Sequence, residues 1–119
     1  LCAACDDVTT PDLVGKWQLK TVEKNGVETA VNTVWYNFQS ESVFMLQIYL
    51  SEPNDYLLLY GLKRQTNGDL SIRLEFEPEP WMGCSDWESR ERLFTIEELN
   101  KKKLTLRSED GYRYSFIKF

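Results

Sequence analysis

Runs of aromatic and branched side chains alternate with short clusters of Gly, Asn, Asp and Ser along most of the chain. In the clearest run, Leu70, Ile72 and Leu74 occupy alternate positions, which gives a strand one apolar and one polar face. This pattern predicts an all-β protein. The predicted strands cover residues 13–23, 33–39, 43–50, 56–64, 70–76, 92–96, 103–107 and 112–119.

The connections between these strands are short, and three of them carry the chemistry of tight hairpin turns. Asn25-Gly26, Asn67-Gly68 and Asp110-Gly111 supply residues that tolerate a positive φ. No link is long enough for a parallel crossover, so neighbouring strands should pair antiparallel. Eight such strands leave two open edges unless the sheet closes, so residues 13–119 are predicted to form an eight-stranded antiparallel up-and-down β-barrel. Residues 1–12 would be a tether.

One late connection does not have the pattern of a strand. The sequence Glu-Pro-Glu-Pro at residues 77–80 interrupts any hydrogen-bonded ladder. Residues 85–88, with Ser first and Glu fourth, have the form of a capping box and predict a short helix that ends near Arg92. Residues 97–100 predict a second helical turn.

The middle strands are apolar on both faces. In residues 43–50 and 56–62 the alternation of apolar and polar positions is lost, so the outer side of these strands requires cover. A partner chain, a lid or the second layer of a flattened barrel would each provide it.

Composition and charge narrow the function. The chain has 119 residues, enough for one domain, of which 42% are hydrophobic and 28% charged. Its net charge of −5 repels phosphate backbones, and no basic stripe offsets it, so we expect no nucleic-acid partner. No stretch approaches the ~20 apolar residues of a membrane-spanning helix.

Catalytic and metal chemistry lack their usual residues. The chain contains no histidine, which removes the common routes to an activated Ser or Cys nucleophile. Cys84 has no basic neighbour in sequence and is expected to be a small buried side chain. Glu75, Glu77 and Glu79 alternate along one strand face, the pattern of a solvated outer surface. We expect no enzyme activity, no metal site and no cofactor.

The first residues resemble a bacterial lipobox, in which small residues precede a cysteine that is lipidated after cleavage. By this resemblance Cys5 carries the lipid, and Asp6-Asp7 are similar to the sorting signal of surface lipoproteins in the Bacteroidetes. The protein would then be an outer-membrane lipoprotein facing the periplasm or the cell surface, touching the membrane only through its anchor. The alternative is a disulfide, although any single bridge among Cys2, Cys5 and Cys84 leaves an odd thiol.

Gly15-Lys16-Trp17, early in the first predicted strand, resembles the Gly-x-Trp signature of lipocalins and other calycins. The layout of the whole chain is similar to small lipocalin-like lipoproteins of Bacteroidetes. The resemblance implies that Trp17 closes one end of the barrel and that an arginine from late in the chain, Arg107 or Arg113, packs over it.

A binding function follows from this resemblance and from the many aromatic residues. We expect a non-enzymatic envelope lipoprotein that binds a small hydrophobic or amphipathic ligand in the barrel. The alternative is a filled barrel that docks a protein or glycan partner through the loop of residues 81–87. A central cavity would favour ligand binding, and a ring-packed interior would favour docking. The candidate ligand-binding residues are Trp35, Tyr49 and Tyr60 as lining and Trp81, Met82 and Trp87 as a gate.

Overall fold

A computed structural model describes residues 12–75, 87 and 90–119. These residues form nine strands and, within the described ranges, no helix. The strands are β1 Gly15–Lys24, β2 Val27–Ala30, β3 Val34–Phe38, β4 Val43–Leu50, β5 Asp55–Thr66, β6 Asp69–Leu74, β7 Glu91–Leu99, β8 Lys103–Ser108 and β9 Arg113–Lys118.

Eight of the strands close into an antiparallel barrel. From β3 to β9 each strand pairs with its neighbour in sequence, and β1 pairs with both β3 and β9. The predicted barrel is therefore confirmed. The additional strand, β2, pairs with the second half of β1, whereas β3 pairs with the first half. The sequence did not predict β2, because all four of its side chains are exposed and carry no burial pattern.

The predicted tight turns are present. Asn25 and Asn67 have φ of 55° and 56°, and Gly26 and Gly111 have φ of 80° and 92°. Asn and Gly occupy these left-handed conformations at low cost, so the turn residues set the register of the hairpins they join.

The predicted helical turn at residues 97–100 is wrong. Glu97, Glu98 and Leu99 belong to β7, and the pairing with β8 shifts register between Ile96 and Glu98. Such an irregularity interrupts the alternation that marks a strand. The predicted helix after residue 85 falls mostly outside the described residues and stays a prediction, although the residues expected at its end, Glu91 and Arg92, belong to β7. The described residues contain no helix long and apolar enough to cross a bilayer.

The barrel has two ends, and from β3 onward consecutive connections alternate between them. One end, called here the mouth, carries the connections β1–β2, β4–β5 and β8–β9, together with the end of β6 and the start of β7. The other end, called here the floor, contains the start of β1, the end of β9 and the connections β3–β4, β5–β6 and β7–β8. Between them lies a core of aromatic and branched side chains, including Trp17, Tyr36, Phe38, Phe44, Leu46, Ile48, Ile72, Leu104, Leu106 and Phe116.

Candidate functional site

The floor is sealed by Trp17. Its ring is fully buried, and its indole N–H donates a hydrogen bond to the carbonyl oxygen of Leu13 at 2.9 Å. Lys118 lies over the ring with Nζ 4.6 Å from the centroid and donates to the Val14 carbonyl at 3.0 Å. Gly15 has φ of 139°, and a Cβ there would clash with the Nζ and Cε of Lys118. The glycine of the Gly-x-Trp pattern therefore makes room for the cation that covers the tryptophan.

The cation over Trp17 is a lysine, so the prediction that Arg107 or Arg113 would occupy this place is wrong. Both arginines lie on the outer wall. Arg113 bridges Glu97 and Glu23 at 2.8 Å and 3.0 Å, and Arg107 bridges Glu97 at 3.3 Å. Side chains alternate between the two faces of a strand, and in β8 and β9 the residues next to these arginines point inward. The arginines themselves therefore point outward and cannot reach Trp17.

Aromatic rings fill the interior between floor and mouth. Tyr36 is the hub, and its ring lies 4.7 Å from Phe116 and 5.4 Å from Phe44, measured between centroids. Trp87 packs against the same hub and donates its indole N–H to the Tyr36 hydroxyl at 3.1 Å. A barrel closed by eight strands is just wide enough for side chains to fill, and in the part of this chain that the structure describes buried aromatic rings occupy its centre.

Trp87 is therefore a core residue. Its side chain is fully buried and its ring stacks on Phe44 with an interplanar angle of 25°. The prediction that Trp87 is an exposed gate is wrong, because hydrogen bonding and stacking hold it inside the barrel. Trp81 and Met82, the other two predicted gate residues, lie outside the described residues.

The three residues predicted to line the interior lie on the outer wall. Trp35 follows Val34 and precedes Tyr36, both of which point inward, so its ring faces out and packs edge-on against Tyr56. Tyr49 contacts the same Tyr56 ring, and Tyr60 is 46% exposed. Because both faces of these strands are apolar, the sequence alone did not decide which face points inward.

The mouth presents apolar side chains that the core only half covers. Val22, Leu50, Leu57 and Tyr112 are partly buried against the core, and each lies within a few residues of a mouth connection. Val22 is paired with Tyr114, whose ring is 6.2 Å from that of Tyr112. The mouth thus forms an apolar rim above the packed interior.

The barrel contains a cation that the sequence did not predict. Arg92 is half-buried at the start of β7, and its guanidinium lies 4.8 Å from the Phe94 centroid and 5.4 Å from that of Trp87. Its Nη2 donates to the Tyr114 hydroxyl at 2.9 Å. Arg92 occupies the same face of β7 as Phe94 and Ile96, since the three residues stand at alternate positions. This spacing is the sequence signal that places the side chain of Arg92 inside the barrel.

The family comparison agrees with this geometry. The model of the lipocalin-like domain family matches residues 1–119. The chain belongs to the lipocalin-like family. No curated protein matches the chain.

Two solved structures from Bacteroides are similar to this lipocalin-like chain. A lipocalin-like protein from Bacteroides uniformis ATCC 8492 is 28% identical, with a TM-score of 0.81 over 90% of this chain and 98% of the other. An uncharacterized protein from Bacteroides eggerthii DSM 20697 is 27% identical, with a TM-score of 0.78 over 91% of this chain and 100% of the other. The predicted likeness to lipocalin-like proteins of Bacteroidetes is confirmed.

A groove of about 500 Å³ lies on the outer wall of the lipocalin-like barrel. Ser71, Leu93, Thr95 and Arg107 line it from β6, β7 and β8, at positions that alternate with core residues. Arg107 is already paired with Glu97. We assign no chemistry to this groove.

The shifted pKa values have structural explanations. Burial lowers the pKa of Lys63, and the nearby charges of Asp12 and Glu41 oppose that shift. The Ser108 hydroxyl donates to Asp110 and holds the pKa of that carboxyl below its ordinary value. In the part of the chain that the structure describes, no group of three or more Cys, Asp or Glu residues could hold a metal ion.

Proposed function

We propose that this lipocalin-like protein is a non-enzymatic binding protein whose ligand is a small hydrophobic or amphipathic molecule held at the mouth of the barrel. The observation that carries the proposal is the apolar rim of Val22, Leu50, Leu57 and Tyr112, packed on the core and still partly exposed. Binding sites for small apolar molecules are concave, mostly apolar and commonly located in the mouths of β-barrels.

The packed interior determines where the ligand can bind. Trp87, Tyr36 and Phe44 occupy the centre of the barrel, so the proposed site is the rim rather than a central cavity. A ring-packed interior was the expected mark of the alternative, a barrel that docks partners through residues 81–87. Trp87 is fully buried, however, and so supplies no docking surface. The mouth therefore has the stronger support.

An amphipathic ligand would find polar groups next to the rim. Arg92 and the Tyr114 hydroxyl form a hydrogen bond beside Trp87, and Tyr114 is paired with Val22. Lys24 lies over the Tyr112 ring with Nζ 4.4 Å from the centroid. Two cations near an apolar rim favour a molecule whose polar end is neutral or acidic.

A thermal-shift screen tests the proposal with matched variants. The panel holds fatty acids, bile acids, sterols and neutral glycans, each against the wild-type chain, Leu57→Gln and Leu99→Gln. Both leucines are half-buried on the same core, but Leu57 lies at the mouth and Leu99 at the floor. A ligand at ~100 times its Kd adds about 2.7 kcal/mol to stability.

We expect an apolar or amphipathic panel member to raise the melting temperature of the wild type and of Leu99→Gln. The same ligand should have little effect on Leu57→Gln, because a polar amide in the rim removes apolar contact area. Equal loss in both variants, or no response to any panel member, would refute ligand binding at the mouth.

The location is a separate proposal. We infer that a lipid on Cys5 carries the protein on a bacterial outer membrane, facing the periplasm or the cell surface. The support is the lipobox-like sequence before Cys5 and the two acidic residues after it. Intact-mass analysis of protein extracted from cell envelopes should show acylation that Cys5→Ser abolishes, and an unmodified Cys5 would contradict it.

A further inference from the structure

Five lysines meet at the floor, where β8 and β1 begin and β9 ends, and together they are called here the basic edge. They are Lys16, Lys101, Lys102, Lys103 and Lys118. Backbone pairing brings them together. The Lys118 amide donates to the Lys102 carbonyl at 2.9 Å, and the Phe119 amide donates to the Lys16 carbonyl at 2.9 Å. Lys16 and Lys118 lie near opposite ends of the chain, so the closed barrel is required to form this edge.

The lysines of the basic edge keep their charge free for a partner. Within the described ranges, no carboxylate forms an ion pair with any of them. The acids on the same strand ends have other contacts, since Asp12 accepts from the Val14 amide at 2.9 Å and Glu98 accepts from the Thr105 hydroxyl at 3.4 Å. Five lysines outnumber these two carboxylates, and any main-chain carboxylate at Phe119 still leaves an excess of positive charge.

The positive charge is local. At the β3–β4 and β5–β6 connections, which complete the floor, the acids Glu41 and Asp69 are balanced by Lys63 and Arg64 near the end of β5. The whole chain carries a net charge of −5. A basic edge on an otherwise acidic protein attracts an anionic partner and turns this end of the barrel toward it.

Apolar side chains lie among these lysines. Ile117, which is paired with Lys103, is 41% exposed, and Phe119 is 67% exposed. The Nζ of Lys16 lies 4.8 Å from the centroid of the Phe119 ring. Exposed rings and aliphatic groups among lysines are typical of surfaces that bind at a bilayer interface, where the apolar groups enter the headgroup region and the cations contact lipid phosphates.

The N-terminal residues lead to the same end of the barrel. β1 begins at the floor, and the carbonyl oxygen of Val14 just before it accepts a hydrogen bond from Lys118. The chain from Cys5 to Leu13 spans at most roughly 30 Å when fully extended. A lipid on Cys5 would therefore hold the basic edge close to the bilayer. An acidic protein or a nucleic acid would match the charge, but neither accounts for this position beside the proposed anchor.

We propose that the basic edge is a membrane-contacting surface that binds the headgroups of anionic phospholipids. Its lysines contact the lipid phosphates, Ile117 and Phe119 enter the headgroup region, and the barrel mouth points away from the bilayer. This inference builds on the proposed location and adds a second membrane contact, whereas the sequence predicted the lipid as the only one. The ligand site at the mouth stays open to solution.

Co-sedimentation with phospholipid vesicles tests this surface without the anchor. The Cys5→Ser chain is mixed at low salt and millimolar lipid with vesicles of phosphatidylethanolamine and phosphatidylglycerol in equal parts, or with neutral phosphatidylcholine vesicles. We expect binding to the anionic vesicles alone, and release at high salt because counterions screen the charges. Since this chain cannot be acylated at residue 5, the result does not depend on whether Cys5 carries a lipid.

A triple substitution tests the lysines themselves. Lys101→Gln, Lys102→Gln and Lys103→Gln combined in the Cys5→Ser chain should weaken binding to the anionic vesicles roughly 100-fold, because each lysine near an anionic surface contributes about fivefold. Phe119→Ser in the same chain should weaken binding severalfold and leave its salt dependence unchanged, because it removes apolar contact without removing a charge. Thermal melts verify that each variant is folded.

The matched control removes three cations from elsewhere on the barrel. Arg73→Gln, Arg107→Gln and Arg113→Gln change outward-facing residues of β6, β8 and β9. This control chain has the same net charge as the triple lysine variant, and we expect it to bind the anionic vesicles with less than about a fivefold loss. Equal weakening by the two triple variants would mean that overall charge drives the binding, and it would overturn the proposal.

Two further outcomes also overturn the proposal: no binding to anionic vesicles, or equal binding to anionic and neutral vesicles. If the chain binds single-stranded DNA but no vesicle, and the triple lysine variant loses this binding, the basic edge belongs to a nucleic-acid site and membrane contact is refuted. The anchor fails separately, because an unmodified Cys5 in the intact-mass analysis leaves the vesicle result in place.

Discussion

Replacing Trp87 tests whether the barrel interior is a packed core. The side chain is fully buried, stacks on Phe44, contacts Tyr36 and donates a hydrogen bond to the Tyr36 hydroxyl at 3.1 Å. Truncating a buried tryptophan to alanine costs roughly 3–5 kcal/mol through lost contacts and the cavity left behind. For a domain of this size, Trp87→Ala should lower the melting temperature by roughly 10–20 °C.

A milder change separates packing from hydrogen bonding. Trp87→Phe keeps much of the ring contact but removes the N–H, so it should cost less than Trp87→Ala, about 1–2 kcal/mol. A double-mutant cycle with Tyr36→Phe should give a coupling of about 0.5–1.5 kcal/mol if the hydrogen bond is real. Urea unfolding followed by tryptophan fluorescence and circular dichroism supplies the free energies of unfolding.

The control is Leu93→Ala, an exposed apolar residue on the outer wall, which should change stability by no more than about 0.5 kcal/mol. If the melting temperature of Trp87→Ala equalled that of Leu93→Ala, Trp87 would not be part of the core. The interior would then be open to ligand, and the restriction of the site to the mouth would be wrong.

Three further predictions concern the floor and the β8–β9 turn. Gly15→Ala should lower the free energy of unfolding, measured in urea, by roughly 1–3 kcal/mol. The double variant Gly15→Ala with Lys118→Ala should recover only part of this loss, because it relieves the steric clash while the alanine stays strained at a positive φ. Lys118→Ala should lower the melting temperature, whereas Arg113→Ala should leave it nearly unchanged, because only the lysine covers the floor tryptophan. Equal effects of the two would contradict this assignment. Because the pKa of Asp110 is lowered in the folded state, the ionised carboxylate stabilises the fold at pH values above its ordinary pKa of about 3.9. This stabilisation is lost as the pH falls through the lower folded pKa. The melting temperature of Ser108→Ala should therefore depend less on pH in this range than that of the wild type.

Strand alternation predicted the barrel well where one face is polar. Leu70, Ile72 and Leu74 point inward as expected, and antiparallel pairing with short turns implied closure. Alternation cannot locate β2, in which all four side chains are exposed, or the end of β7, where a register shift disrupts the pattern. Local sequence also cannot choose which of two apolar faces points inward.

The candidate site was harder to predict than the fold. The aromatic character of Trp35, Tyr49 and Tyr60 favours an interior position, yet the inward-pointing Tyr36, Leu46 and Ile48 already fill that space. Which face of a strand points inward is set by the register of several paired strands, and that register depends on contacts between residues far apart in the sequence.

Long-range contacts also explain the errors at Trp87 and at the floor. Trp87 follows a Pro-rich segment and resembled a loop residue, but its partner Tyr36 lies 51 positions earlier in the chain. Lys118 covers Trp17 from the other end of the chain, where no local pattern distinguishes it from Arg107 or Arg113. Only the closed barrel brings these residues together.

The most direct test of the central claim is an NMR titration of the ¹⁵N-labelled chain with the panel member that most raises the melting temperature. Binding at the mouth predicts saturable shifts of the amide resonances of Val22, Leu57 and Tyr112, with Leu99 unaffected. Shifts centred on Ser71 and Thr95 in the outer groove, or no shifts at all, would contradict ligand binding at the mouth.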